Sequence, residues 1–398
     1  MDKRVYVAGT FDTKAEELLY VDALLKAAGH KTVRVDLSTQ GRRADVDVTP
    51  EQIAALVPGA AQILAQNDRG KSMETMSEAF ARFILSRDDV AGVIGLGGSG
   101  NTTLVTAGMR ALPVGVPKVM VSTQTGGSYA GATDICMMYA VTDIAGLNSI
   151  SRRVLANAAH ALSGMVSCEL PPAMRDVHVK PAITLTMFGV TTPCVTQIRT
   201  ALEKDYDCIV FHATGLGGKS MEKLIDSGMV VAAIDITTTE VPDLLMGGVC
   251  SAGEDRFGAF IRKKIPAVFS TGALDMVNFG AIDTVPAQFK SRNLYKHNPH
   301  ATLMRTTRDE NVAMGKWIAG KMNACEGPVR FLIPEKGLSA IDAPGKPFHD
   351  PEADAALFET LEKNIRPTPR RRVVRLPHHI NDAGFAAAAV DNFREITR

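Results

Sequence analysis

The chain reads as an α/β protein built from two Rossmann-like three-layer subdomains with mostly parallel sheets, related by internal duplication. Three observations predict this. Short apolar runs alternate with amphipathic helical stretches along the chain, the pattern of βαβ units and a parallel sheet. Two of those runs end in glycine clusters, A-G-V-I-G-L-G-G-S-G-N at 91–101 and C-I-V-F-H-A-T-G-L-G-G-K-S at 208–220. The length, 398 residues, accommodates two domains.

Residues 5–8 form the first strand, followed by Gly9-Thr10-Phe11-Asp12-Thr13-Lys14. Thr13 and Glu16 make the T-x-x-E capping box and start a helix. Leu18, Val21, Leu24 and Leu25 share its apolar face, and Gly29 ends it. Residues 32–35 are the next strand, closing on Asp36, and a right-handed crossover joins the two. Residues 38–48 are polar and irregular. Arg69-Gly70-Lys71-Ser72 reads as a basic loop before a methionine-bearing helix. Residues 91–94 are a buried strand, and 101–112 a helix stopped by Pro113. Strand 118–121 leads into Ser122-Thr123-Gln124-Thr125-Gly126-Gly127-Ser128, and 139–142 is a fifth strand ending on Asp143. A long helix over 148–166 breaks at Leu170-Pro171-Pro172, and the segment to Lys180 connects the halves.

The second half repeats the opening: strand 182–188, then Gly189-Val190-Thr191-Thr192-Pro193, then a helix to Glu203. Strand 209–212 enters the second glycine turn. Strand 230–234 ends on Asp235, ahead of Thr237-Thr238-Thr239-Glu240, and 267–269 ends in Ser270-Thr271-Gly272. Residues 329–333 and 373–376 supply two more strands. The expected domains are 1–180 and 181–398.

Composition excludes several classes. A net charge of +1 gives no bulk field toward nucleic acid or membranes. No apolar run reaches the ~18 residues of a membrane span. Six cysteines without C-x-x-C fit a reduced, cytoplasmic protein. The nine histidines, His297 and His300 among them, show no firm zinc spacing. No G-x-S-x-G elbow supports nucleophilic hydrolysis.

What remains is anion binding. Gly95-x-Gly97-x-x-Gly100 lets backbone approach an anion at a helix N-terminus. An NAD-dependent dehydrogenase needs an acid at the end of the next strand, where Ser122 and Thr123 stand instead. Gly215-x-Gly217-Gly218-Lys219-Ser220 nearly matches the phosphate loop, with Ala213 where its first glycine belongs. The turn after the first strand adds hydroxyls, the Lys14 ammonium and Asp12, a candidate Mg²⁺ ligand. Thr125-Gly126-Gly127-Ser128 is a third donor loop at the same sheet edge.

These motifs, with V-Y-V-A-G-T-F-D-T-K-A-E-E-L, S-T-Q-T-G-G-S-Y, T-G-L-G-G-K-S-M-E, D-I-T-T-T-E, L-S-A-I-D-A-P-G-K-P-F-H-D-P-E-A-D and H-H-I-N-D, span nearly the whole chain. They resemble the family named for the ATP-binding N-terminal region of the tomato mosaic virus resistance protein. The resemblance implies two Rossmann-like subdomains, ATP in the first, and a homodimer. It assigns nucleotide contact to Gly9, Thr10, Asp12, Thr13, Lys14, Gly97, Gly98, Ser99, Asn101, Gly126, Gly127 and Ser128, beside Gly95 of the fingerprint.

The expected function is therefore Mg·ATP binding in the first domain. A small anionic metabolite is expected in the cleft toward the second, held by Gly215, Gly217, Gly218, Ser220, Glu240 and Asp275. Asp235, Lys219 and His212 are the catalytic candidates if phosphoryl is transferred. The alternative is a non-catalytic, ATP-regulated binding or scaffold protein.

Overall fold

The computed structural model describes residues 3–40, 45–66, 68–124, 126, 129–168 and 180–398. Thr125, Gly127, Ser128 and the expected connection at Leu170-Pro171-Pro172 lie outside them. Two units result, Met1–Val177 and His178–Arg398.

The N-terminal unit carries five strands: β1 (Arg4–Gly9), β2 (Thr32–Asp36), β3 (Val90–Gly97), β4 (Lys118–Ser122) and β5 (Cys136–Tyr139). Their order is β2-β1-β3-β4-β5, every neighbouring pair parallel. Successive side chains point to opposite faces, so each strand feeds two cores. Tyr6 and Ala8 pack with Phe80, Leu104 and Met109 under helices Arg69–Leu85 and Ser99–Ala111. Val5 and Val7 pack with Leu18, Val21 and Leu155 under helices Phe11–Ala27 and Ser149–Ser167. Both faces are covered, as an all-parallel sheet requires.

The C-terminal unit adds β6 (Ala182–Met187), β7 (Asp207–His212), β8 (Ala232–Thr237), β9 (Ala267–Gly272), β10 (Met276–Phe279), β11 (Leu294–Asn298), β12 (Ala301–Arg305), β13 (Val329–Pro334) and β14 (Arg371–Leu376). Six of them form a parallel sheet in the order β14-β13-β9-β8-β6-β7. Read from β7 and numbered along the chain, that order begins 2-1-3-4-5, as in the first unit. The two doubly wound sheets thus share one topology. A small antiparallel sheet, β10-β12-β11, accompanies the mostly parallel sheets, and its strands were not among those expected from the sequence.

Three local expectations give way to tertiary structure. The fifth strand ends at Tyr139, because Val141 takes φ of 67°. Arg69-Gly70-Lys71-Ser72 is the first turn of a helix, capped when Lys71 N donates to Asp68 Oδ1 at 3.1 Å. The Thr13–Glu16 capping box does not form, since the helix starts earlier, with Thr10 at its N-cap. Its first amides are satisfied from β2 and beyond: Phe11 N donates to Asp36 Oδ1 and Asp12 N to Ser38 Oγ, both at 3.1 Å.

Candidate functional site

In a 2-1-3-4-5 sheet the connections leaving β1 and β3 run to opposite faces. Their C-terminal ends therefore part to form a crevice. In the N-terminal unit the loop after β1 carries Thr10 to Lys14, and the loop after β3 carries Gly98 to Asn101. The structure brings Thr10, Asp12, Thr13, Lys14, Gly98, Ser99 and Asn101 to the wall of one cavity of about 400 Å³. Thr39, Gln40 and Arg69 complete its polar lining.

The chemistry of the cavity follows from the turn. Helix Ser99–Ala111 begins at Gly98 without a side-chain cap, so among the described residues its first amides stand at the cavity as unpaired donors. Gly97 takes φ of 149°, and a Cβ there would stand 2.7 Å from that of Asn101. Only glycine lets the helix start this close. Asn101 is 7% exposed. Its Nδ2 donates to the Leu96 carbonyl, which orients the amide and leaves Oδ1 buried without a partner. Asp12 Oδ1 is also buried and unpaired. Burying acceptors in this state costs on the order of 1–3 kcal/mol each.

Gly9, Gly95 and Gly126, also expected at the nucleotide, do not line this cavity. Gly95 lies within β3, where a Cβ would stand 2.6 Å from Val105 Cγ1. Gly9 is buried, its carbonyl accepting from Leu37 N at 2.8 Å. Gly126 is exposed after β4 and does not line the cavity.

A second cavity of about 580 Å³ adjoins the first, sharing Thr39 and Gln40. Its far walls are apolar, from Pro50, Ala54, Val57, Pro58 and Leu64. Asp36, 1% exposed, lines its inner end. Phe11 N, Ser38 N and Ser38 Oγ all donate to Asp36 Oδ1. Sequence reasoning left Asp36, Thr39, Gln40 and Arg69 unassigned. The available signal was an acid closing the second strand.

The glycine turn of the C-terminal unit is built differently, against the expectation of an anion seat at Gly215, Gly217 and Gly218. It follows β7, an edge strand, whereas the first turn follows β3 at the crevice. The recurring G-L-G-G is therefore not a duplicated element. Its amides already hold an anion: Gly215 N and Gly218 N donate to Glu240 Oε1 at 2.7 and 3.0 Å. A Cβ at Gly218 would collide with that carboxylate, and one at Gly217 with the His212 carbonyl.

Glu240 belongs to a sealed ion cluster. Arg256 Nε donates to Glu240 Oε2 at 2.7 Å, Nη2 to Asp235 Oδ1 at 2.8 Å and Nη1 to Glu222 Oε1 at 3.1 Å. Burial pushes the Glu222 and Glu240 carboxyls above their ordinary range, and Arg256 pulls them back. Thr186 Oγ1 donates to Asp235 at 2.6 Å.

The crevice of this unit is closed too. Thr191 and Thr237 hydroxyls bond at 2.8 Å, and Ala340 N and Asn381 Nδ2 donate to the Val190 carbonyl. Asp235 is thus buried away from Lys219 and His212, which are exposed. The His212 ring stacks on Phe188 with centroids 5.1 Å apart. Lys219 lines a cavity of only about 130 Å³, and Ser220 sits on the flank of its helix. Asp275 is fully buried and accepts from Ser339 Oγ at 2.7 Å. The three catalytic candidates are not brought together. Among the described residues no group of three His, Cys, Asp or Glu side chains could hold a metal ion.

Fold and site together define an α/β protein of two doubly wound units, with an uncapped glycine turn at the crevice of the first and an internally filled one in the second. The chain belongs to UPF0261, described as an uncharacterised protein family, whose N-terminal domain matches residues 3–171 and C-terminal domain residues 180–397. A UPF0261 protein of Rhizobium meliloti (strain 1021) is 56% identical over 398 residues, covering 99% of each chain. The ToMV resistance protein Tm-1(GCR237) of Solanum lycopersicum is 42% identical over 420 residues, covering 99% of this chain and 56% of that longer one. Among solved structures, a Streptomyces sp. SF2575 glycosyltransferase complexed with thymidine diphosphate is 11% identical over 67% of this chain and 81% of its own, with a TM-score of 0.16. A likeness that low carries no argument.

Proposed function

We propose that the N-terminal unit binds a magnesium–nucleoside triphosphate, ATP by the family resemblance, and that the protein is an ATP-regulated binding protein. One observation carries this. The cavity at the β1 and β3 ends presents unpaired donors and unpaired acceptors together. The amides after Gly98, Lys14 and Arg69 seek an anion, and Asp12 Oδ1 and Asn101 Oδ1 seek a cation or its bound water. A bare phosphate answers only the first set. A metal-chelated polyphosphate answers both, and Mg²⁺ takes few protein ligands when phosphates supply the rest. The adjoining apolar cavity fits a base, with Asp36 toward ribose.

Phosphoryl transfer needs a base beside the acceptor. The catalytic candidates do not supply one together: Asp235 is buried and bonded to Arg256 and Thr186, apart from the exposed Lys219 and His212. Regulated binding is therefore favoured over catalysis. The same reading expects a homodimer in the cytoplasm, and all six cysteines are free. No helix among the described residues is long and apolar enough to cross a membrane.

The test is titration of the purified full chain with ATP, with Mg²⁺ or with chelator, by calorimetry and thermal shift. Mg·ATP is expected to raise the melting temperature by mass action. Asp12→Asn is expected to abolish most of the metal dependence while leaving metal-free affinity nearly unchanged. No heat and no thermal shift with any adenine nucleotide in saturating Mg²⁺ would sink the proposal. Phosphate release well above background would move the reading to catalysis.

A further inference from the structure

Arg69 opens helix Arg69–Leu85 and stands at the wall of the polar cavity. A Cβ on Gly100 would lie 3.7 Å from its Nη2 and 3.6 Å from Met73 Cε. The guanidinium thus sits over the second residue of the helix that starts at Ser99, beside its uncapped amides. Arginines near carboxylates pair with them throughout this protein, as Arg34 does with Asp47, Arg87 with Asp89 and Arg262 with Asp226. Arg69 has no ion-pair or hydrogen-bond partner among the described residues. The nearest acid in sequence, Asp68, caps the helix and faces Lys71 at 3.8 Å.

Position gives the missing partner its identity. The apolar cavity meets the polar one at Thr39 and Gln40, and Arg69 lines only the polar one. A nucleotide with its base in the apolar cavity runs its phosphates past Thr39 and Gln40 toward Gly98 and Arg69. Lys14, on the first turn of helix Phe11–Ala27, is the other cation of the cavity. Lys14 is a point charge, whereas a guanidinium offers a planar fork matched to two phosphate oxygens.

We infer that Arg69 is the ligand of the terminal phosphate and sets the preference for a nucleoside triphosphate over the mono- and diphosphate. The inference rests on the nucleotide reading above. It adds that recognition of the third phosphate lies on a helix that belongs to neither the β1 nor the β3 loop.

The experiment compares Kd values for ATP, ADP and AMP, with Mg²⁺, in wild type, Arg69→Ala and Arg69→Lys. Arg69→Ala is expected to weaken ATP about 10–100-fold, the loss of a charged hydrogen-bonded pair, and AMP by less than about 3-fold. Arg69→Lys is expected to fall between, since charge stays and the fork goes. Arg69 is exposed, so both variants are expected to melt like wild type without nucleotide. Equal losses for ATP and AMP would overturn the inference, as would unchanged ATP affinity in Arg69→Ala. A wild type that binds none of the three refutes the nucleotide reading itself. A wild type that binds all three equally refutes the terminal-phosphate role alone.

Discussion

The same four residues, G-L-G-G, close a strand ahead of one helix in this chain and open another helix, and they do opposite things. At 95–98 the first three residues close β3, an interior strand where the sheet order reverses, and the amides that follow Gly98 face a cavity. At 215–218 it sits at the end of β7, an edge strand, and its amides hold the Glu240 carboxylate. The local chemistry is alike, because uncapped amides at a helix start attract an anion in either place. What differs is whether the chain supplies that anion itself. Glu240 does so because the segment after β8 passes beside the edge turn, with Arg256 to neutralise its far oxygen. No carboxylate of the N-terminal unit reaches the first turn in this way among the described residues. Asp12 lines the same cavity without bonding those amides, and Asp36 bonds the amide of Phe11 instead.

This contrast is broken most directly at Glu240. Glu240→Ala leaves two buried amides unpaired and the Arg256 cluster short of one charge. A loss of about 3–5 kcal/mol in unfolding free energy is expected from chemical denaturation. If the turn is a true anion seat, formate should restore part of that loss by mass action and leave wild type unaffected. A variant as stable as wild type would mean that Glu240 only happens to lie near the turn. A destabilised variant that formate cannot rescue would locate the loss in the Arg256 cluster instead.

Strands and helices were legible where periodicity had one interpretation. The apolar runs read as strands at 5–8, 91–94 and 230–234 are strands at 4–9, 90–97 and 232–237, the last running on through Asp235. The small antiparallel sheet was not legible. M-V-N-F, L-Y-K-H-N and A-T-L-M-R are short; the last two form a hairpin through Pro299 and His300, and the first joins it from across residues 280–300. In the first unit, sequence reasoning gathered the loops after β1 and β3 because both are marked by glycine and hydroxyl residues. It missed Arg69 and Gln40, whose roles depend on which helix and which loop the sheet order places beside the turn. In the second unit it misread the glycine turn, since the partner that fills it lies 25 residues away from Gly215.

The units should also differ in their response to pH. In the C-terminal unit burial, with Asp342 nearby, pushes the Asp275 carboxyl up to about 7. Burial likewise raises Asp354 to about 8 against the pull of Arg305, which donates to it at 2.6 Å. Both acids hold a proton when folded that they release when unfolded. Their contribution is therefore complete below an ordinary aspartate value of 3.8 and is lost as pH rises through about 7 to 8. In the N-terminal unit the shifts run the other way. Asp47, held by Arg34, and Asp89, held by Tyr6 and Arg87, lie below their ordinary values despite burial. Their contribution is present above 3.8 and lost as pH falls through the lowered values. Raising the pH from about 5 to about 8.5 should thus lower the denaturation midpoint of the C-terminal unit. Asp275→Asn should flatten that slope. An unchanged slope in Asp275→Asn would assign the titration elsewhere.

The smallest expected effect separates the local from the tertiary account of the first helix. If the T-x-x-E box started that helix, Glu16→Ala would remove a cap and cost about 1 kcal/mol. The helix instead starts at Phe11, and its first amide donates to Asp36 at the end of β2. Glu16 is exposed and bonds no backbone amide there. Glu16→Ala should therefore stay within about 0.5 kcal/mol of wild type. Asp36→Asn should cost more, because its Oδ1 accepts from Phe11 N, Ser38 N and Ser38 Oγ at once. That ranking, read by denaturation of the two variants side by side, tests whether the crevice is shaped by the end of β2. Were Glu16→Ala the costlier change, the loop after β1 would owe its shape to its own sequence, and the cavity beside it would not depend on the sheet.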